Sequence, residues 1–213
     1  MVRKIVEKVP ATQLQQDLEK YRERALELGA TDAKVITTDM VVIDERVRMK
    51  CLYPKCYYYG TSAHCPPHAF DLDMARKTVE KFQYALFFCL VVPSYQMAGT
   101  EALEKRLYIP PHRKIFKLVS MIESEAFSDG YYLSFGLGCG PCKEIFCPKL
   151  ESSLLIVGKG CHQPLKSRTS MEGFGIDVFT LAAKVGWDIY PIGAATSPGD
   201  IPCGGIYVLV FIY

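Results

Sequence analysis

Between residues 10 and 28 the apolar side chains Leu14, Leu18, Tyr21, Ala25 and Leu28 recur at steps of three and four. That spacing lays one apolar stripe along a helix. Thr12 and Gln15 fit a capping box at its start, and Gly29 fits the position just past its end. β-Branched residues then gather at 35–38 and 40–43, which predicts one or two strands. Val47 and Met49 lead from there into a first cysteine-bearing loop. Helical spacing returns over 71–82 through Leu72, Ala75, Val79 and Phe82. Residues 85–92 are apolar without a break, the pattern of a central strand buried on both faces.

The second half follows the same alternation. A short helix over 100–108 is stopped by Pro110 and Pro111, and Pro111 suits the first turn of the next helix. That helix carries the stripe Ile115, Leu118, Val119, Ile122 and Ala126. A strand is predicted at 131–135, followed at once by a second cysteine-bearing loop with a short apolar piece at 154–157. Residues 170–185 predict a helix with Ser170 as N-cap and Gly186 as its stop. Strands are predicted at 187–192 and 206–212, separated by a loop of prolines and glycines. Helices alternating with strands argue an α/β or α+β fold. The expected architecture is one domain over 1–213: a mixed sheet covered by helices, with long cysteine-rich metal-binding loops at 51–68 and 138–164.

Composition narrows the function. Of 213 residues, 49% are apolar and 23% charged, ordinary for a soluble globular chain that buries its own core. A net charge of +2 calls for no nucleic-acid or membrane partner. Charges interrupt the N-terminal stretch too often for a secretory signal, and no run of eighteen apolar residues predicts a membrane span. The nine cysteines are an odd number and too few for a disulfide scaffold. A reducing, cytoplasmic compartment is therefore expected, where clustered cysteines point to metal or catalysis. The chain has no P-loop, Rossmann fingerprint, GxSxG elbow or HExxH helix.

Seven of the nine cysteines fall into two groups. In the second group Cys139, Cys142 and Cys147 lie close together and Cys161 follows, amid glycines that let the backbone bend around a bulky centre. Four thiolates are a full set for zinc or for a cuboidal 4Fe-4S cluster. Zinc ribbons repeat two close pairs, whereas only one close pair exists here, which favours iron–sulfur. The Cys139–Cys142 pair also has the spacing of a redox-active dithiol.

The first group offers Cys51, Cys56 and Cys65. Three thiolates leave the fourth position to be completed by Cys203, His64 or His68, or left open for substrate. Tyr57, Tyr58 and Tyr59 are placed to shield a centre from water. Cys89, inside the apolar run FFCLVV, is expected to be a buried core thiol.

Three stretches together carry a family likeness: 51–67 with its Cys-Pro-Pro ending, 138–147, and 161–178 with SMEGFGID. In these the chain resembles the prokaryotic domain-of-unknown-function family labelled "predicted metal-binding protein", over nearly its whole length. The resemblance implies cysteine-bound metal, with iron–sulfur the expected occupant, and no particular reaction. The family tends to have a cysteine–arginine step where this chain has Cys161–His162, so the basic residue is His162, Lys166 or Arg168. The glycines of SMEGFGID are costly inside a helix and argue either close approach to a cluster loop or ligand, or a tight packing contact at a helix start.

Three functions compete. The first is a redox or electron-transfer protein with one or two iron–sulfur clusters and a redox protein partner. The second is an enzyme with an open metal at Cys51, Cys56 and Cys65, whose cavity would be lined by His64, His68, Tyr59 or Arg113. The third is a structural zinc protein.

Overall fold

The computed structural model describes residues 2–213. Its elements in order are α1 (Ala11–Glu27), β1 (Asp32–Thr37), α2 (Glu45–Leu52), α3 (Leu72–Val79), β2 (Tyr84–Val92), α4 (Thr100–Glu104), α5 (Ile109–Ser128), β3 (Phe135–Leu137), α6 (Cys142–Phe146), α7 (Met171–Phe174), α8 (Val178–Lys184) and β4 (Gly204–Phe211). The strands form one sheet in the order β1-β2-β4-β3, and every pairing is antiparallel. The fold is thus α+β, and the sheet is antiparallel where a mixed one was expected.

The continuous apolar run of β2 is explained by its place between β1 and β4. Leu86, Phe88, Leu90 and Val92 face a core with Leu14, Leu18 and Tyr21 of α1 and Ile115, Val119 and Ile122 of α5. Ala85, Phe87 and Cys89 face the other side, against Ala75 and Val79 of α3, Phe174 of α7 and Leu181 and Ala182 of α8. Alternate residues of a strand point to opposite faces, so a strand covered on both sides must be apolar throughout. No helix among the described residues is long and apolar enough to cross a membrane.

Several local expectations are revised. Residues 40–43 form no strand; a 3-10 turn at Thr38–Met40 and a single bridge from Ile43 to Ile176 stand there. The segment 45–52 is helical because Asp44 caps it, its carboxylate accepting from the Arg46 backbone N–H. Residues 154–157 are turns. Residues 187–192 are also irregular: Trp187 donates from Nε1 to Asp32 Oδ2 at 2.7 Å and packs on Phe87 instead of pairing. The helix expected over 170–185 is broken at Gly175, whose φ of 98° ends α7. Asp177 then caps α8, its carboxylate accepting from the Thr180 backbone N–H.

Candidate metal centre

β3 and α7 define the neck of the second cysteine loop. Gly138 N–H donates to Thr169 O at 2.8 Å and Met171 N–H donates to Gly138 O at 3.0 Å, a parallel bridge between Gly138 and Ser170. Everything from Cys139 to Thr169 is an excursion closed at that bridge. The first cysteine loop runs from the end of α2 to α3 and lies against this excursion. Ser153 N–H donates to Thr61 O at 2.7 Å, and Ser62 Oγ lies 3.4 Å from Cys142 Sγ. Arg48 holds the base of the first loop, donating to Phe70 O at 2.9 Å and Gly173 O at 2.7 Å.

Three thiols of the second group, Cys142, Cys147 and Cys161, line one cavity. His64 and Ser62 reach it from the first loop, and Ser153, His162 and Ser167 line it too. Its volume is ≈ 20 Å³, about the room one water-sized occupant needs. Ser153 Oγ is the one buried side-chain polar atom without a hydrogen-bond partner among the described residues. Buried polar groups are normally satisfied, so an orphaned hydroxyl on a thiol-lined cavity calls for an occupant. The thiols and the imidazole are donor types that a soft metal takes.

Two of these sulfurs are in hydrogen-bond contact with neighbouring groups. The Gln163 backbone N–H donates to Cys161 Sγ at 3.3 Å. Burial raises the Cys142 thiol, while hydrogen bonds from Ser167 and Ser62 pull it back down. Burial and then Cys161 raise Cys147, opposed by the Lys143 ammonium.

Cys139 stands apart. It is 6% exposed, packed in the apolar core of the α1 and α5 face, and it is absent from the cavity lining. Complete burial drives its thiol well above the ordinary range, and its charged neighbour is Glu172. Glu172 also bears on Cys51. Its carboxyl lies deep enough for burial to raise its pKa, although the residue keeps a surface open to solvent; depth sets the direction.

Cys51, Cys56 and Cys65 form a second neighbourhood. Burial pushes the Cys65 thiol up to about 12, with Cys142, Cys56 and Cys51 adding to the effect. Burial and then Cys56 raise Cys51. Cys142 is therefore neighbour to both sets. Cys203 is a neighbour of Cys89 and Tyr207, at the start of β4. Among the described residues no three His, Cys, Asp or Glu side chains are close enough to hold an ion as they stand.

The other expected residues are also placed. Cys89 is 3% exposed in the core. His68 is exposed and Arg113 donates from Nε to Ile145 O at 3.0 Å, so neither joins His64 at the cavity. Tyr57 is 82% exposed and shields nothing, whereas Tyr58 is raised by burial and then by Glu144 of α6. Lys55 lies over the Tyr59 ring at 5.1 Å. His162 and Lys166 are exposed, and Arg168 is paired with Glu123 at 2.6 Å. Burial, then the Arg168 charge, lowers the His64 pKa. At Gly173 both readings of SMEGFGID have a contact: a Cβ there would stand 3.0 Å from Oγ of the N-cap Ser170 and 3.1 Å from His64 O of the first cysteine loop. Ser62, Ser153 and Ser167 carry no spacing signal, and sequence reasoning missed them.

No curated protein and no solved structure matches the chain. Residues 34–206 match the family model described as "Predicted metal-binding protein (DUF2284)", and the chain belongs to that family.

Proposed function

We propose that the protein holds cysteine-ligated iron–sulfur centres and serves in electron transfer with a redox protein partner. The observation that supports this most is the single cavity lined by Cys142, Cys147 and Cys161, with Cys51, Cys56 and Cys65 adjoining it through the Cys65–Cys142 neighbourhood. Two thiol sets side by side suit soft metals and short electron paths, and thiolates are the usual ligands of iron–sulfur clusters. N–H···S and O–H···S bonds to such sulfurs tune reduction potential, and Gln163 and Ser62 supply them here. The turn-rich loops must close their thiols on the metal, because no three ligands among the described residues hold one as they stand.

A second reading has its own support. A cavity of ≈ 20 Å³ suits one ion better than a cluster, so a single thiolate-held zinc or iron at the second group is the rival. Anaerobic purification followed by iron, sulfide and zinc analysis separates them. Iron with an equal amount of acid-labile sulfide supports the cluster; one tightly held zinc and no sulfide supports the single ion.

A further inference from the structure

We propose that α2 and the first cysteine loop are a docking surface for a protein partner whose own contact surface is acidic around an apolar centre. This deepens the redox reading above by naming the chemistry of the partner it calls for, and it needs no metal at either thiol set.

Three observations carry it. First, α2 is an eight-residue helix that buries no residue. Helices that short are marginal in water unless an apolar face is covered. Here Met49 and Leu52 stay exposed, with Tyr53 and Tyr57 exposed just beyond them. A partner that covers these side chains stabilises the helix as it binds. Second, charge is divided unevenly along the chain. Residues 45–70 and 139–169 lie against each other through the Ser153–Thr61 and Ser62–Cys142 contacts. Together they carry nine Lys and Arg against three Asp and Glu, while the rest of the chain carries sixteen against twenty. Of those three acids Glu45 is paired with Arg76 and Glu144 is buried, which leaves Glu151 exposed. Beside them Glu172 of α7 bears on Cys51, where Arg48 opposes it. A chain of small net charge thus gathers its positive field at the cysteine-bearing end, and such a field steers a carboxylate-rich surface there. Third, the groups on offer suit carboxylates and apolar side chains better than phosphates and bases. The guanidinium forks are engaged: Arg46 by Asp44, Arg48 by two backbone carbonyls, Arg168 by Glu123. The exposed cations that remain include Lys50, Lys55, Lys149 and Lys159, point charges without a planar fork. Exposed Leu155 and Val157 extend the apolar area with aliphatic groups, on which no base stacks. An apolar centre inside a charged rim is the usual build of a protein–protein interface. Cys51 and Cys56 lie within this surface, so a partner seated on it stands beside the first thiol set.

The test is calorimetric titration of the full-length chain, purified without oxygen, with an acidic carrier protein, a plant-type ferredoxin. A basic carrier of similar size, cytochrome c, is the control, and circular dichroism checks that each variant is folded. The ferredoxin is expected to bind and the cytochrome not, with affinity falling about 10-fold from low to physiological salt. Lys50→Glu combined with Lys55→Glu should weaken binding about 10-fold or more. Met49→Ala combined with Leu52→Ala should weaken it several-fold and leave the salt dependence in place. Lys8→Glu should leave it unchanged. Its segment meets the C-terminal end of α5, where Arg3 N–H donates to Ser128 O, whereas α6 meets the N-terminal end through Arg113 and Ile145. The 20 residues of α5 put about 30 Å between them. No binding of the ferredoxin, equal binding of both carriers, or binding that the lysine variant leaves intact overturns the proposal. So does tighter binding of a single-stranded oligonucleotide or of phosphatidylserine vesicles, or a dimer of the chain formed through α2 that excludes the ferredoxin. Lysine-dependent binding by a protein that holds no iron or sulfide keeps the docking surface and overturns the proposed function. Iron and sulfide without lysine-dependent binding do the reverse.

Discussion

Ser62 and Cys142 meet across the two cysteine loops, Oγ to Sγ at 3.4 Å. Ser62 is fully buried, and its hydroxyl lowers the cost of charge on a sulfur that burial otherwise keeps protonated. The contact also ties the first loop to the second at the cavity. Ser62→Ala should therefore weaken metal binding several-fold, with about 1 kcal/mol lost from stability, the usual net worth of one such bond. Chelator competition and denaturant unfolding of the variant measure the two effects separately.

Metal uptake should depend steeply on pH. Burial raises Cys142 and Cys147 above the ordinary thiol value, so both are protonated at neutral pH in the metal-free protein. A metal must displace those protons, so affinity rises with pH and binding releases about one proton per thiolate formed. Zinc titration in two buffers of different ionisation enthalpy counts them. Release of fewer than about two protons would show that Cys142 and Cys147 are not both ligands.

Cys89→Ser should retain all metal but lose about 1–3 kcal/mol of stability, because a hydroxyl replaces a thiol buried in the apolar core. The metal-free protein should also lose stability as pH rises past the ordinary thiol value. Burial pushes Cys89 up to about 11. A group whose folded pKa is raised contributes its stability below the unfolded pKa, and that contribution is lost as pH climbs toward the folded one. Cys89→Ala should flatten the fall between about pH 9 and 11. An equally steep fall in the variant would assign the alkaline loss to other groups.

Gly175→Ala should destabilise the protein by about 2 kcal/mol or more. The φ of 98° is strained for any residue with a Cβ, at about 1–2 kcal/mol. The new methyl would also stand 2.4 Å from Leu72 Cδ2. Thermal unfolding of the variant is the check, and an unchanged midpoint would mean that the turn between α7 and α8 relaxes freely.

The parts of the fold with strong periodicity were legible in the sequence. The stripe Leu14, Leu18, Tyr21 and Ala25 is buried as its spacing implies, and β2 and β4 lie where unbroken apolar runs put them. The segment 45–52 was not legible as a helix because it buries no residue and depends on the Asp44 cap. Trp187 and Ile189 have strand-like composition but pack on a sheet face already provided with edges. At the site, spacing groups Cys139 with Cys142, Cys147 and Cys161 along the chain, but it carries no signal for which way each one faces. The direction of Cys139 is set by the bridge from Gly138 to Ser170, a contact between residues far apart in the chain. The convergence of His64 on the second group is likewise a product of packing between loops.

The most direct test of the central claim is the metal and sulfide content of the protein purified without oxygen, measured beside that of a variant with Cys142, Cys147 and Cys161 all changed to Ala. The account predicts iron with acid-labile sulfide in the unmodified protein and a clear loss of both in the variant. Equal metal content in the two proteins, or none in either, would contradict it.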